Sequence, residues 1–140
     1  MHWEKEFEHA GYRCLVGMNT LDAHRCGYVD VPAGHPAHGM GFRSLDDALS
    51  VHGGVTYAEE VDGCWRVGFD CGHISDAPDM DWARKNPELF EGNLEWLQLT
   101  TDRHIEYSYV PVRVWTEEEV EGEVGKLAVQ LKNMEARDGD

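Results

Sequence analysis

The segment VHGGVTYAEEVDGCWRVGFDC, residues 51–71, limits the fold of this chain more than any other stretch. Two runs rich in β-branched and aromatic residues flank Glu60, Val61, Asp62 and Gly63, which supply turn chemistry, so the segment predicts a β-hairpin. Pairing about that turn brings His52 close to Cys71, at the same end of the sheet as Asp70, His73 and Asp76. A second hairpin is expected upstream. Tyr12, Cys14, Val16 and Met18 alternate against Arg13 and Gly17, Asn19 to His24 supply a turn, and Arg25 to Val31 resumes the extended pattern.

Pro32, Gly34, Pro36, Gly39 and Gly41 then interrupt regular structure, which puts His35 and His38 on a loop. A short helix is predicted over 44–50, with Ser44 as N-cap and Asp46 and Asp47 in the first turn, where the helix dipole favours them. Pro78 heads a further helix over 79–86 closed by Pro87, and a weakly patterned stretch anchored by Trp96 and Leu97 runs on to Thr101. Ile105 to Trp115 reads as extended, with Pro111 marking an edge or a break. Thr116 and Glu119 form a capping box for a last helix, on which Val120, Val124, Leu127, Ala128, Leu131 and Met134 recur on one face. The tail from Ala136 to Asp140 is expected to fray. The simplest architecture is α+β: a single antiparallel or mixed sheet of about five or six strands, helices on one face and a C-terminal amphipathic helix. A chain of 140 residues suits one domain over 1–140, with an ordered core of about 12–134.

Charge narrows the partners. Twelve Lys and Arg against 27 Asp and Glu give a formal charge of -15, which repels polyphosphate backbones and anionic membranes, so duplex nucleic acid is not an expected partner. The N-terminal residues alternate charges without an apolar core, and no apolar run approaches the roughly 20 residues of a membrane span. Cys14, Cys26, Cys64 and Cys71 form no CxxC pair and no disulfide framework, which points to reduced thiols in a cytoplasm.

Three stretches carry candidate chemistry. In HGG, Gly53 and Gly54 beside His52 allow close backbone approach and expose N–H groups to an anion; the same string serves equally as a β-bulge or tight strand end. GFDCGHISD gathers Asp70, Cys71, His73 and Asp76 at a strand end, where sites are commonly built. Alternation sends Cys71 with Phe69 toward the core and Asp70 to the other face, so Cys71 reads as a buried structural thiol and not a nucleophile. Two imidazoles and two carboxylates suit a divalent metal with an open position for water, zinc if Cys71 joins, or manganese, though the spacing matches no standard metal motif. The same groups suit metal-free work, with His73 or His52 as general acid or base and an Asp fixing the imidazole tautomer. HRCGYVDVPAGHPAHG adds Arg25 for an anionic group and Tyr28 for a ring, with His35 and His38 at the margin. His2, His9, His24 and His104 lack supporting neighbours in the sequence.

The ordered set HRCGYVDVPAGHPAHG, VHGGVTYAE, WRVGFDCGHISDAPD and LAVQL resembles a group of small proteins of tailed phages and prophages, over most of residues 12–134. That resemblance implies a phage-type accessory protein acting in the host cytoplasm, and no particular activity. Three functions follow as expectations. The first is binding of a small phosphorylated or nucleotide-like ligand, such as a host signalling or defence nucleotide to be sequestered, with His52, Gly53, Gly54, Asp70 and His73 at its polar end and Tyr28 or Tyr57 against its ring. The second is a metal-dependent hydrolase using His52, Asp70, His73 and Asp76. The third is an acidic module that binds a host protein, with the C-terminal helix also suited to a homodimer contact.

Overall fold

A computed structural model describes residues 1–138. It is an α+β fold in which five antiparallel strands form one sheet in the order β1-β2-β3-β5-β4: β1 His2–His9, β2 Tyr12–Met18, β3 Arg25–Val31, β4 Tyr57–Val61 and β5 Cys64–Asp70. Both hairpins expected from sequence are present. The β4–β5 turn is tighter than the four residues suggest, because Val61 pairs with Cys64 and only Asp62 and Gly63 remain between them, both at positive φ. That backbone geometry matches the twist of the flanking strands.

One strand had no sequence signal. β1 pairs with β2 from His9↔Tyr12 back to His2↔Met18, with a bulge between Trp3 and Lys5. It is an edge strand whose Glu4, Lys5, Glu6 and Glu8 resemble a solvated segment, and such charges are how edges avoid pairing with other chains.

Helix α4, Glu117–Asp138, lies across one face of the sheet. Its Val120, Val124, Leu127, Ala128 and Leu131 are fully buried against Cys14, Val16, Val29, Val67 and Phe69, as the heptad-like spacing predicts. Gly27 makes this approach possible, since a Cβ there would lie 2.4 Å from Val124 and 2.7 Å from the Phe69 ring. Thr116 and Glu119 form the expected capping box, each accepting from the other's backbone N–H at 3.2 Å. The predicted fraying begins in a stretch that stays helical to Asp138, and its last two residues lie outside those described.

Helix α1 is Phe42–Ala48, starting two residues before the expected span, with Gly41 and not Ser44 at its N-cap. Asp46, expected to favour the helix dipole, accepts the Val55 N–H at 2.8 Å and so anchors the loop that follows. Beyond β5 the two-residue strand β6, Asp76–Ala77, leads into α2, Met80–Lys85, capped by Asp79. Helix α3 covers Leu94–Tyr107, so Ile105 to Tyr107 are helical and not extended; of that predicted strand only β7, Arg113–Val114, survives, parallel to β6. The β-branched and aromatic residues that suggest a strand are instead largely exposed on a helix and the loop after it, Ile105, Tyr107 and Tyr109 among them. Met80 and Ala83 of α2 and Leu97 of α3 pack with Met18, Ala23 and Phe90 in a second cluster at the end of the sheet. This end carries the polar constellation.

Candidate functional site

Strand β5 ends at Asp70, and the chain turns sharply because Asp70 Oδ1 accepts the Gly72 N–H at 2.9 Å. Four residues later it re-enters at Asp76, whose side chain is 1% exposed. The Asp76 carboxylate accepts the His73 N–H at 2.9 Å and faces His52 Nε2 at 2.8 and 2.9 Å. A buried carboxylate acts only as an acceptor here, so His52 donates from Nε2 and its tautomer is set by Asp76. The His52 ring stacks on Trp115 at 4.1 Å between centroids, and its backbone N–H is taken by Glu123. Arg25 holds Trp115 in place by donating to its carbonyl at 2.9 Å while pairing with Glu4 and Asp79. The anionic groups that Arg25 pairs with are therefore the protein's own carboxylates, Glu4 and Asp79.

The two glycines of HGG also have internal reasons. A Cβ on Gly53 would lie 2.1 Å from His73 Nε2, and Gly53 sits at φ +69°, so the glycine lets the imidazole lie directly over the backbone. Three backbone donors in and beside the HGG turn bond inside the fold: His52 N–H to Glu123, Gly54 N–H to the Val51 carbonyl and Val55 N–H to Asp46. Gly53 also serves as a platform for the His73 ring.

The four residues proposed as metal ligands converge in pairs and not as a set. His52 belongs to Asp76, whereas His73 Nε2 lies 3.4 Å from Asp70 Oδ1 and the two imidazoles meet edge to face at 5.8 Å. Among the described residues no three His, Cys, Asp or Glu side chains are grouped to hold a metal ion. Cys71 is 2% exposed and burial pushes its thiol well above the usual range, which suits a core residue and opposes ligation or nucleophilic attack.

Two clefts open beside this constellation. The first, of about 290 Å³, lies between the Gly72–Asp76 turn and α3, and receives His24, His73, His104, Asp76, Trp96 and Thr100. Three of its imidazoles come from three separate segments, and each presents a buried ring nitrogen with no hydrogen-bond partner: His24 Nδ1, His73 Nε2 and His104 Nε2. The nearest carboxylates to the first two, Asp22 and Asp70, are 3.4 Å away, outside good N–H···O geometry. Trp96 stands at the rim, 65% exposed. The second cleft, of about 360 Å³, is lined by Tyr28, Tyr57, Thr56 and Asp70, and shares Asp22, His24 and Gly72 with the first as a common wall. Tyr28 and Tyr57 meet edge to face at 5.3 Å on the sheet face opposite α4. A broader groove of about 780 Å³ lies elsewhere, between β1 and α4, with the Lys5–Glu121 ion pair on its lining.

His35 and His38 sit outside both clefts. His35 donates from Nε2 to the Leu131 carbonyl and accepts the Ala37 N–H at Nδ1, pinning its loop to α4, while His38 packs against Trp65. His24 and His104, which have no supporting neighbours in sequence, are the additions. The spacing of Trp96, Thr100 and His104 places them on one face of α3, a signal legible once that stretch is known to be helical. No protein-family model, curated protein or solved structure matches the chain.

Proposed function

We propose that this protein binds a small phosphorylated or nucleotide-like ligand across the two adjoining clefts, as a phage-type accessory protein that captures such a molecule. The supporting observation is the trio of buried, unpartnered ring nitrogens of His24, His73 and His104 around one cavity. Buried polar nitrogens without partners cost roughly 1–3 kcal/mol each, a cost that a ligand carrying acceptor oxygens relieves in the tautomers that put N–H at these atoms. An anionic end fits there, with Trp96 over it and the ring toward Tyr28 and Tyr57. Asp22, Asp70, Asp76 and the overall charge of -15 limit how much negative charge the ligand brings, which favours one phosphate over three. Both clefts lie at the small end of ligand pockets, which run from roughly 300 to 1,000 Å³.

Isothermal titration with nucleoside monophosphates, nucleoside triphosphates and sugar phosphates tests this. Saturable binding of a monophosphate, weakened at least tenfold by His24→Ala or His104→Ala in folded protein, is the expected result. No binding by any member of the panel overturns it.

A further inference from the structure

The second cleft differs from the first in what it offers a ligand. Its walls are aromatic, from Tyr28 and Tyr57, and it carries two carboxylates, Asp70 and Asp22, with the N-terminal residue Met1 also on its lining. Asp70 is already oriented, with Thr56 Oγ1 donating to Oδ2 at 3.0 Å and the Gly72 N–H to Oδ1 at 2.9 Å, and each oxygen keeps a further lone pair. Asp22 is held through Oδ1 by the His24 N–H at 3.1 Å. Both side chains remain partly open to solvent, at 38% and 51% exposure, so their free acceptor positions are reachable.

From this geometry we infer that the cleft takes a flat, donor-rich ring bearing an amidine-type pair of N–H groups, and that the ligand is therefore a guanine nucleotide. The inference rests on the nucleotide-binding reading above and names its base. A carboxylate accepts two parallel N–H bonds from such an edge, as it does from a guanidinium, and these charge-assisted bonds are roughly twice as strong as neutral ones. Adenine presents a single amino group beside a ring acceptor and meets the same carboxylate with one bond and one repulsion. The carboxylates draw the donor edge of the base toward themselves. The shared wall at Asp22, His24 and Gly72 keeps the two halves within one molecule's reach.

The test is isothermal titration of the full chain with GMP, IMP and AMP, with arginine amide as a competitor carrying the same donor fork without a phosphate. The expected order is GMP tightest, IMP weaker by about tenfold for loss of one donor, and AMP weaker still. Asp22→Asn and Asp70→Asn should each cut the GMP-over-AMP preference at least fivefold. Asp22 lies at the surface, so its variant keeps the test valid if Asp70→Asn fails to fold. Equal affinity for the three nucleotides, or preference unchanged in both variants, overturns the guanine assignment and leaves nucleotide binding standing. Binding of arginine amide more tightly than GMP also overturns it, assigning the cleft to a guanidinium. Failure of all three nucleotides to bind removes the guanine assignment, and only failure of the wider panel of nucleotides and sugar phosphates removes the binding reading as well.

Discussion

Asp76→Ala isolates the contact that organises this end of the sheet. The substitution strips acceptors from two donors at once, the His52 Nε2–H and the His73 N–H. Leaving a buried donor unpaired costs roughly 1–3 kcal/mol, giving about 2–6 kcal/mol for the two. Relief of the buried carboxylate's own desolvation offsets part of this, and about 3 kcal/mol is the expected net loss. A domain with roughly 5–15 kcal/mol of stability stays folded after such a loss. With a urea slope of about 1–3 kcal/mol/M, the midpoint should fall by about 1–3 M at unchanged slope. A double-mutant cycle with His52→Ala sharpens the assay, because Asp76 and His52 bond directly and should couple by about 1–3 kcal/mol. Asp76→Asn, which keeps the shape and one acceptor, should fall between wild type and alanine. A loss under about 1 kcal/mol, or additivity with His52→Ala within about 0.5 kcal/mol, would refute the view that Asp76 is the organising acceptor.

Other outcomes follow from the same contacts. Gly53→Ala forces a Cβ against the His73 ring at positive φ, and should cost about 2 kcal/mol by thermal unfolding and shift the His73 imidazole resonances in NMR. Asp30→Ala strands Arg66, which is bonded to it at 2.7 and 3.0 Å in a nearly buried pair, and should destabilise by about 3–5 kcal/mol; replacing both with a packed apolar pair should recover most of that loss. Burial pushes the Cys14 and Cys26 thiols up to about 11, and these folded-state values lie above the unfolded ones, so the stability they contribute is complete below about pH 8.5 and is lost as the pH rises toward 11. Chemical denaturation at pH 8 and 10 should show this decline, shallower in Cys14→Ser and Cys26→Ser, while thiol labelling of the native protein should modify half-buried Cys64 first.

Much of the fold was written in local patterns. The hairpin strands, the Thr116–Glu119 box, the buried stripe of α4 and the inward turn of Cys71 each depend on residues a few positions apart, and their periodicity survives folding because one face of each element meets the core. Where burial did not shape the pattern, the sequence misled. β1 is a charged edge that pairs on one side only, and Ile105–Tyr107 extends a helix at whose C-terminal end Ile105 and Tyr107 face outward. The site divides in the same way. Asp70, His73 and Asp76 share one turn and His52 a neighbouring one, so their proximity was legible, and their partition into two pairs was not, since it depends on which ring lies over Gly53. His24, Trp96 and His104 come together only when the Asn19–His24 turn and α3 close on the end of the sheet. Residues 72 and 104 are joined by no local rule; packing of Leu97 and Phe90 against Met18 sets them side by side, and that long-range burial is decided by the tertiary structure alone.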